Sequence, residues 1–128
     1  MVLLVCLLAM FVNKVPDLDA LAWHNRVLLV FAPSEDDHRQ REQHSIFIGH
    51  EAGFDERDLQ VFTLIGEGAE VSRLREKLHI AGQGFVVVLI GKDGGVKLRK
   101  SEPVSAEQLF RTIDSMPMRK QEIKQSKQ

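Results

Sequence analysis

The chain has 128 residues, 44% of them hydrophobic and 27% charged, with 17 Lys and Arg against 18 Asp and Glu for a formal net charge of -1. That length suits one domain with a core of its own and leaves no room for a second. The balanced charge excludes the basic excess that tracks nucleic acid or anionic lipid, so neither partner is expected.

Residues 2–12 are eleven apolar residues without a charge, closed by Asn13 and Lys14. A membrane-spanning helix needs about 20 such residues, so no transmembrane span is expected. The run matches the apolar core of an export signal, although no Lys or Arg precedes it and no small-x-small cleavage site follows. A buried first strand is the alternative. Residues 1–22 are therefore read as signal peptide and linker, 23–120 as the domain and 121–128 as a polar tail. Cys6 is the only cysteine and falls inside the leader, so the domain contains no thiol and the chain no internal disulfide. Export, to a periplasm or outside the cell, rests on this leader.

After the leader, Trp23 is expected at the domain edge, and residues 27–31 form a short apolar run typical of a strand buried on both faces. Residues 36–51 contain no Gly or Pro before Gly49 and suit a helix with a thin apolar stripe of Ile46, Phe47 and Ile48. A second strand follows at residues 59–65, then Gly66-Glu67-Gly68, then a helix carrying Val71, Leu74 and Leu78. Two strand-helix units in series predict parallel strands with right-handed crossovers. Residues 85–90 are six apolar residues in a row, a central strand, and Asp93-Gly94 turns the chain back into an antiparallel partner at 96–99. Ser105, with Gln108 three residues on, opens a last helix through Leu109, Phe110 and Ile113.

The resulting order βαβα-ββα, with a mixed four-stranded sheet flanked by helices, is that of the α/β thioredoxin-like fold. In that fold the loop after the first strand carries two cysteines separated by two residues; here it reads Ser34-Glu35-Asp36-Asp37. Thiol-disulfide exchange needs a thiolate at a helix start and usually a resolving thiol, and these residues supply neither. The place of the cis-proline before the central strand is taken by Phe85 and Val86.

The plain reading of residues 34–37 is a helix cap in which the Ser34 oxygen accepts a backbone N–H beside three carboxylates. The sharper one makes Glu35, Asp36, Asp37 and His38 a cation site. No histidine pair in the first helix has the four-residue spacing of a zinc site, since His38, His44 and His50 are six apart. His44, Ser45 and Asp58 form no recognisable triad context. Gly66-Glu67-Gly68 lacks the third glycine of a dinucleotide loop, because Val71 stands there, and Glu67 and Glu70 would repel a pyrophosphate. Gly82-Gln83-Gly84 reads as a flexible approach to the central strand. Around Met116-Pro117-Met118-Arg119-Lys120 the proline stops one helix and can start another, with an adaptable docking surface as the functional alternative.

Four separated stretches, at residues 23–34, 54–59, 89–97 and 113–119, resemble the DUDES-type domain of unknown function. The likeness covers residues 23–122. It implies a thioredoxin-like fold and export, as a single domain in bacteria or as repeats in vertebrate matrix proteins, and brings no catalytic residues. The expectation is thus a non-catalytic binding or assembly module without cofactor, whose partner is a protein or cell-envelope component. Its candidate groove comprises Ser34, Glu35, Asp36, Asp37, His38, Phe85 and Arg119. The alternative is a metal-dependent or non-thiol oxidoreductase-like enzyme.

Overall fold

A computed structural model describes residues 15–127, so the apolar run at residues 2–12 with Cys6 lies outside the described residues. The first element falls where a linker was expected: Asp17 accepts the N–H groups of Asp19 and Ala20 and starts a one-turn helix, α1, at Leu18–Leu21. Val15, Leu18 and Leu21 pack against the core, so the folded body begins ahead of Trp23. Trp23 itself is 66% exposed and adopts φ 69°, rare for a bulky aromatic, with its N–H donating to the Lys92 carbonyl.

Strand β1, Arg26–Ala32, is buried along its whole length. The expected single helix over 36–51 is two helices, α2 at His38–Ile48 and α3 at Glu51–Glu56, broken at Gly49 and His50. Ile46 and Phe47 face the core as expected, whereas Ile48 is 55% exposed. The buried position of α2 is instead Gln43, whose amide donates to the Val104 carbonyl at 3.0 Å and accepts the Val104 N–H at 2.7 Å. A side-chain amide here satisfies a buried backbone donor and acceptor, which an apolar residue would leave unpaired. Strand β2 follows at Leu59–Ile65, helix α4 at Ala69–Lys77, and strands β3 and β4 at Val86–Ile90 and Val96–Lys100. At the hairpin turn Gly94 has φ 83°, the left-handed conformation that its missing Cβ permits. Ser105 caps helix α5, Ala106–Asp114, through the Gln108 N–H, and Pro117 opens helix α6, Pro117–Ser126. Helix α6 runs across the expected boundary at residue 120, and residues 121–126 of the expected polar tail belong to it.

The sheet order is β2-β1-β3-β4, with β1 parallel to β2 and antiparallel to β3, and β3 antiparallel to β4. This is the mixed sheet of the thioredoxin fold. Because side chains alternate across a strand, Leu28, Val30 and Ala32 face Phe54, Leu109 and Ile113, while Val27, Leu29 and Phe31 face Val71 and Leu74. Both faces of β1 and β3 are covered, which is why their sequences are nearly all apolar rather than alternating.

Candidate functional site

The C-terminal end of β1 forms one pole of the sheet. There Ala32 hands the chain to residues 33–36, all exposed. The cap of α2 is Asp37 and not Ser34: Asp37 Oδ1 accepts the N–H groups of Arg39 at 3.0 Å and Gln40 at 3.4 Å. The reason is a turn in which the Ser34 carbonyl accepts the Asp37 N–H, delaying the helix by three residues. Ser34, Glu35, Asp36, Asp37 and His38 therefore do share one surface. The other two expected residues do not join them.

Phe85 lies at this pole but is only 2% exposed, its ring turned into the core with Ala32 and Val87, so it cannot touch a ligand. Arg119 is at the opposite pole, where Arg119 Nε donates to Asp114 Oδ1 and Nη2 to Glu56 Oε1. Glu56 stands just ahead of β2, whose first residue pairs with Arg26, so the seven residues of β1, roughly 20 Å at a strand's rise, separate Arg119 from the loop. The correction follows from α6, which lies at the start of β1 and not at its end.

What the loop does border is a cleft of about 260 Å³ lined by Glu35, Gln40, His44, Thr63 and Ile65, between α2 and β2. Most of its lining surface is apolar, with Glu35, Gln40, His44 and Thr63 supplying the polar groups. Sequence reasoning missed Gln40, His44, Thr63 and Ile65, because they belong to two elements whose proximity depends on the β1–β2 register. The edge itself was a legible signal. Among the described residues β2 pairs with β1 alone, and its seven residues carry no charge, whereas β4, at the other edge, carries three cations in five. Charged side chains protect a sheet edge from pairing, and β2 lacks them.

The loop that faces this region from β3 is held from beneath. Arg75, 5% exposed, sits 4.8 Å over the Phe31 ring and donates to the carbonyls of Gly84 at 2.9 Å, Gln83 at 3.3 Å and Gly82 at 3.4 Å. Burial pulls its guanidinium below the usual arginine range. The residues 82–84 are thus fixed by a buried cation, and the expectation of a flexible approach is replaced by a tethered one.

The opposite pole is closed by charge. Arg26, 0% exposed, grips both Glu122 oxygens at 3.1 and 3.0 Å and donates to the Arg57 carbonyl at 2.9 Å. Lys92 bridges Asp58 at 2.8 Å and Glu122 at 3.2 Å. Arg57 binds both Asp114 oxygens at 3.0 and 2.9 Å and stacks 4.1 Å over Phe110. Burial alone would raise the Asp114 carboxyl, but the bonds from Arg57 and Arg119 outweigh it and hold the group below its ordinary range. Glu122 behaves likewise: burial raises it, and Arg26 and Lys92 bring it down further. Among the described residues no three His, Cys, Asp or Glu side chains converge as metal ligands, and no helix is long and apolar enough to cross a membrane.

Topology and pole geometry together define a thioredoxin-fold protein whose loop after β1 offers carboxylates in place of thiols. Solved structures agree on the fold: the mitochondrial 2-cys peroxiredoxin from Plasmodium falciparum aligns with a TM-score of 0.54 at 18% identity over 78% of this chain and 80% of its own. The reduced 2-Cys peroxiredoxin of Plasmodium vivax gives 0.55 at 15% over 80% and 83%. At such identities the likeness shows the fold alone. The chain belongs to the family described as "Domain of unknown function (DUF4174)", which matches residues 17–122. It is also 31% identical over 120 residues to Sushi repeat-containing protein SRPX2 of Rattus norvegicus, covering 83% of this chain and 26% of that protein, and 28% identical over 125 residues to the Homo sapiens protein of that name, covering 87% and 27%. The chain thus spans about a quarter of the length of these relatives.

Proposed function

We propose that the chain is an exported, non-catalytic binding module that seats a protein partner at the cleft beside the β1–α2 loop. The observation that carries this reading is the pairing of a thiol-free loop with an open, largely apolar cleft of about 260 Å³ on an uncharged sheet edge. An apolar cavity with a few polar groups at its lining suits recognition of an apolar side chain, and the edge of β2 ahead of Ile65, which among the described residues pairs with β1 alone, can add main-chain hydrogen bonds to an extended segment. Export is supported by the apolar leader at residues 2–12. The single cysteine, Cys6, lies in that leader, which supports a role without thiol chemistry.

The test is site-specific photo-crosslinking of the full chain in its native host, with the probe at Gln40 in one experiment and at Lys124 in another. The expected result is a partner captured from Gln40, not from Lys124, and lost in Thr63→Arg, which fills the cleft with a cation. Capture that is equal from both positions, or unchanged in Thr63→Arg, would refute the placement. Catalytic turnover of peroxide or of a protein disulfide by the Cys6→Ser chain would refute the non-catalytic role.

A further inference from the structure

Beside the cleft of about 260 Å³ between α2 and β2 lies a smaller cavity, of about 10 Å³, walled in part by Phe47, Phe54 and Val61. His44 and Thr63 line both, so the two lie side by side along β2. Val61, Thr63 and Ile65 are alternate residues of that strand, and they share the face toward α2 because they pair with Leu28, Val30 and Ala32, which face that core. The larger cavity lies against Thr63 and Ile65 and the smaller against Val61 and Thr63, so their separation is about two residues of strand, roughly 7 Å.

The backbone of the same residues faces outward. The Asp58 carbonyl accepts the Arg26 N–H and the Gly66 N–H donates to the Ala32 carbonyl, both at 2.9 Å, so with an unbroken register the even-numbered residues of β2 are turned to β1. Val61 and Thr63 therefore present their N–H and C=O groups to the other side, where among the described residues no strand is paired. We propose that an extended segment of the protein partner adds here as a fifth strand, with a large and a small apolar side chain, two residues apart, over the two cavities and a Lys or Arg two residues beyond the large one. This deepens the binding role argued above and rests on it. Strand addition of this kind draws affinity from main-chain hydrogen bonds and specificity from pockets for alternate side chains.

Size and charge define the segment. A cavity of about 10 Å³ has room for one water-sized group, the methyl of an alanine, whereas the larger one takes a leucine or a phenylalanine. At the far end of the larger cavity stand Glu35 on its wall and Asp36 and Glu67 in the loops that follow β1 and β2. All three are exposed, and among the described residues none is held in an ion pair; Arg39, in the first turn of α2, is turned instead to Glu102 at 3.5 Å. Carboxylates beside an uncharged strand complement a cation at that end of the added segment. The seven residues of β2 include no cation, so a second copy paired edge to edge would leave those carboxylates unanswered.

The test titrates the ¹⁵N-labelled full chain with the end-blocked peptide Lys-Thr-Leu-Thr-Ala-Thr and with its reverse, since an added strand can run either way. Saturable shifts of the Val61 and Thr63 amides are expected from at least one of them. Binding should fall several-fold when Lys is replaced by Glu, and again when Leu and Ala are made adjacent. Two N-methylated versions, one blocking the amides of Lys, Leu and Ala and the other those of the three Thr, should differ, because only one alternate set faces β2. Absence of these shifts, equal binding by the Lys and Glu peptides, or equal binding by the two methylated versions would overturn the proposal. Sedimentation showing that the chain dimerises, and that Thr63→Arg abolishes the dimer, would make a second copy the occupant and overturn it too. If the peptides fail while Gln40 still captures a partner, strand addition falls and the cleft stands. If Gln40 captures nothing while these amides still shift, the cleft falls as the native partner's seat and the chemistry of the edge stands.

Discussion

The two ends of β1 meet opposite fates. At its start, Arg26, Lys92, Arg57 and Arg119 are interlocked with Glu122, Asp58, Asp114 and Glu56, and helix α6 is drawn down over the strand by charge. At its end, Glu35, Asp36 and His38 stand exposed around a cleft, with only Asp37 committed to the backbone. Closed networks hold a fold; open polar groups beside an apolar cavity remain available to something else. The comparison puts the ion-pair network at the start of β1 and, on the proposed reading, recognition at its end.

The sharpest way to break this contrast is Glu122→Ala. It strands the buried Arg26 charge and removes one partner of Lys92, and a loss of about 3 kcal/mol is expected in urea unfolding, typical for breaking a buried pair. A loss of a few tenths would mean that the closed pole does not hold the fold.

Acid should attack the same pole. Asp114 and Glu122 titrate lower in the folded chain than their unfolded counterparts near pH 4, so the unfolded state takes up protons first. Their stabilisation is complete above that range and is lost as pH falls through the depressed folded values. Melting temperature followed into acid should drop steeply for the native chain and less steeply for Asp114→Asn.

At the open pole the largest effect belongs to Arg75. Arg75→Leu removes three donors from the carbonyls of residues 82–84, and a destabilisation of about 2 kcal/mol is expected, with faster amide exchange confined to that loop. Asp37→Ala should cost about 1 kcal/mol as an ordinary lost cap. Smallest of all, Glu35→Gln and Asp36→Asn should change stability by less than about 0.5 kcal/mol while altering partner capture from Gln40. Stability losses there comparable to Glu122→Ala would erase the distinction between the poles.

Much of the fold is legible in the sequence. The all-apolar runs of β1 and β3, the Asp93-Gly94 turn and the Ser105 cap are local features, each set by burial, φ or a nearby N–H, and each forms where the sequence placed it. The break between α2 and α3 was less so, because Gly49 reads as an end while His50 and Glu51 resume a helix at once. The candidate site was legible only as a loop. Its cleft wall on β2 and the burial of Phe85 depend on strand register and on which way one ring turns.

The chain's sequence by itself determined the thioredoxin order of elements, the absence of a thiol from the domain, and an acidic helix start after β1. Those follow from periodicity, turn chemistry and residue identity, which act over a few neighbours. Only the tertiary structure decided that Arg26 meets Glu122, 96 residues away, that Gln43 completes the backbone of Val104, and that Arg119 sits at the far pole from the loop it was grouped with. Charges and amides pair wherever the packed apolar layers bring them, and no local pattern records that distance.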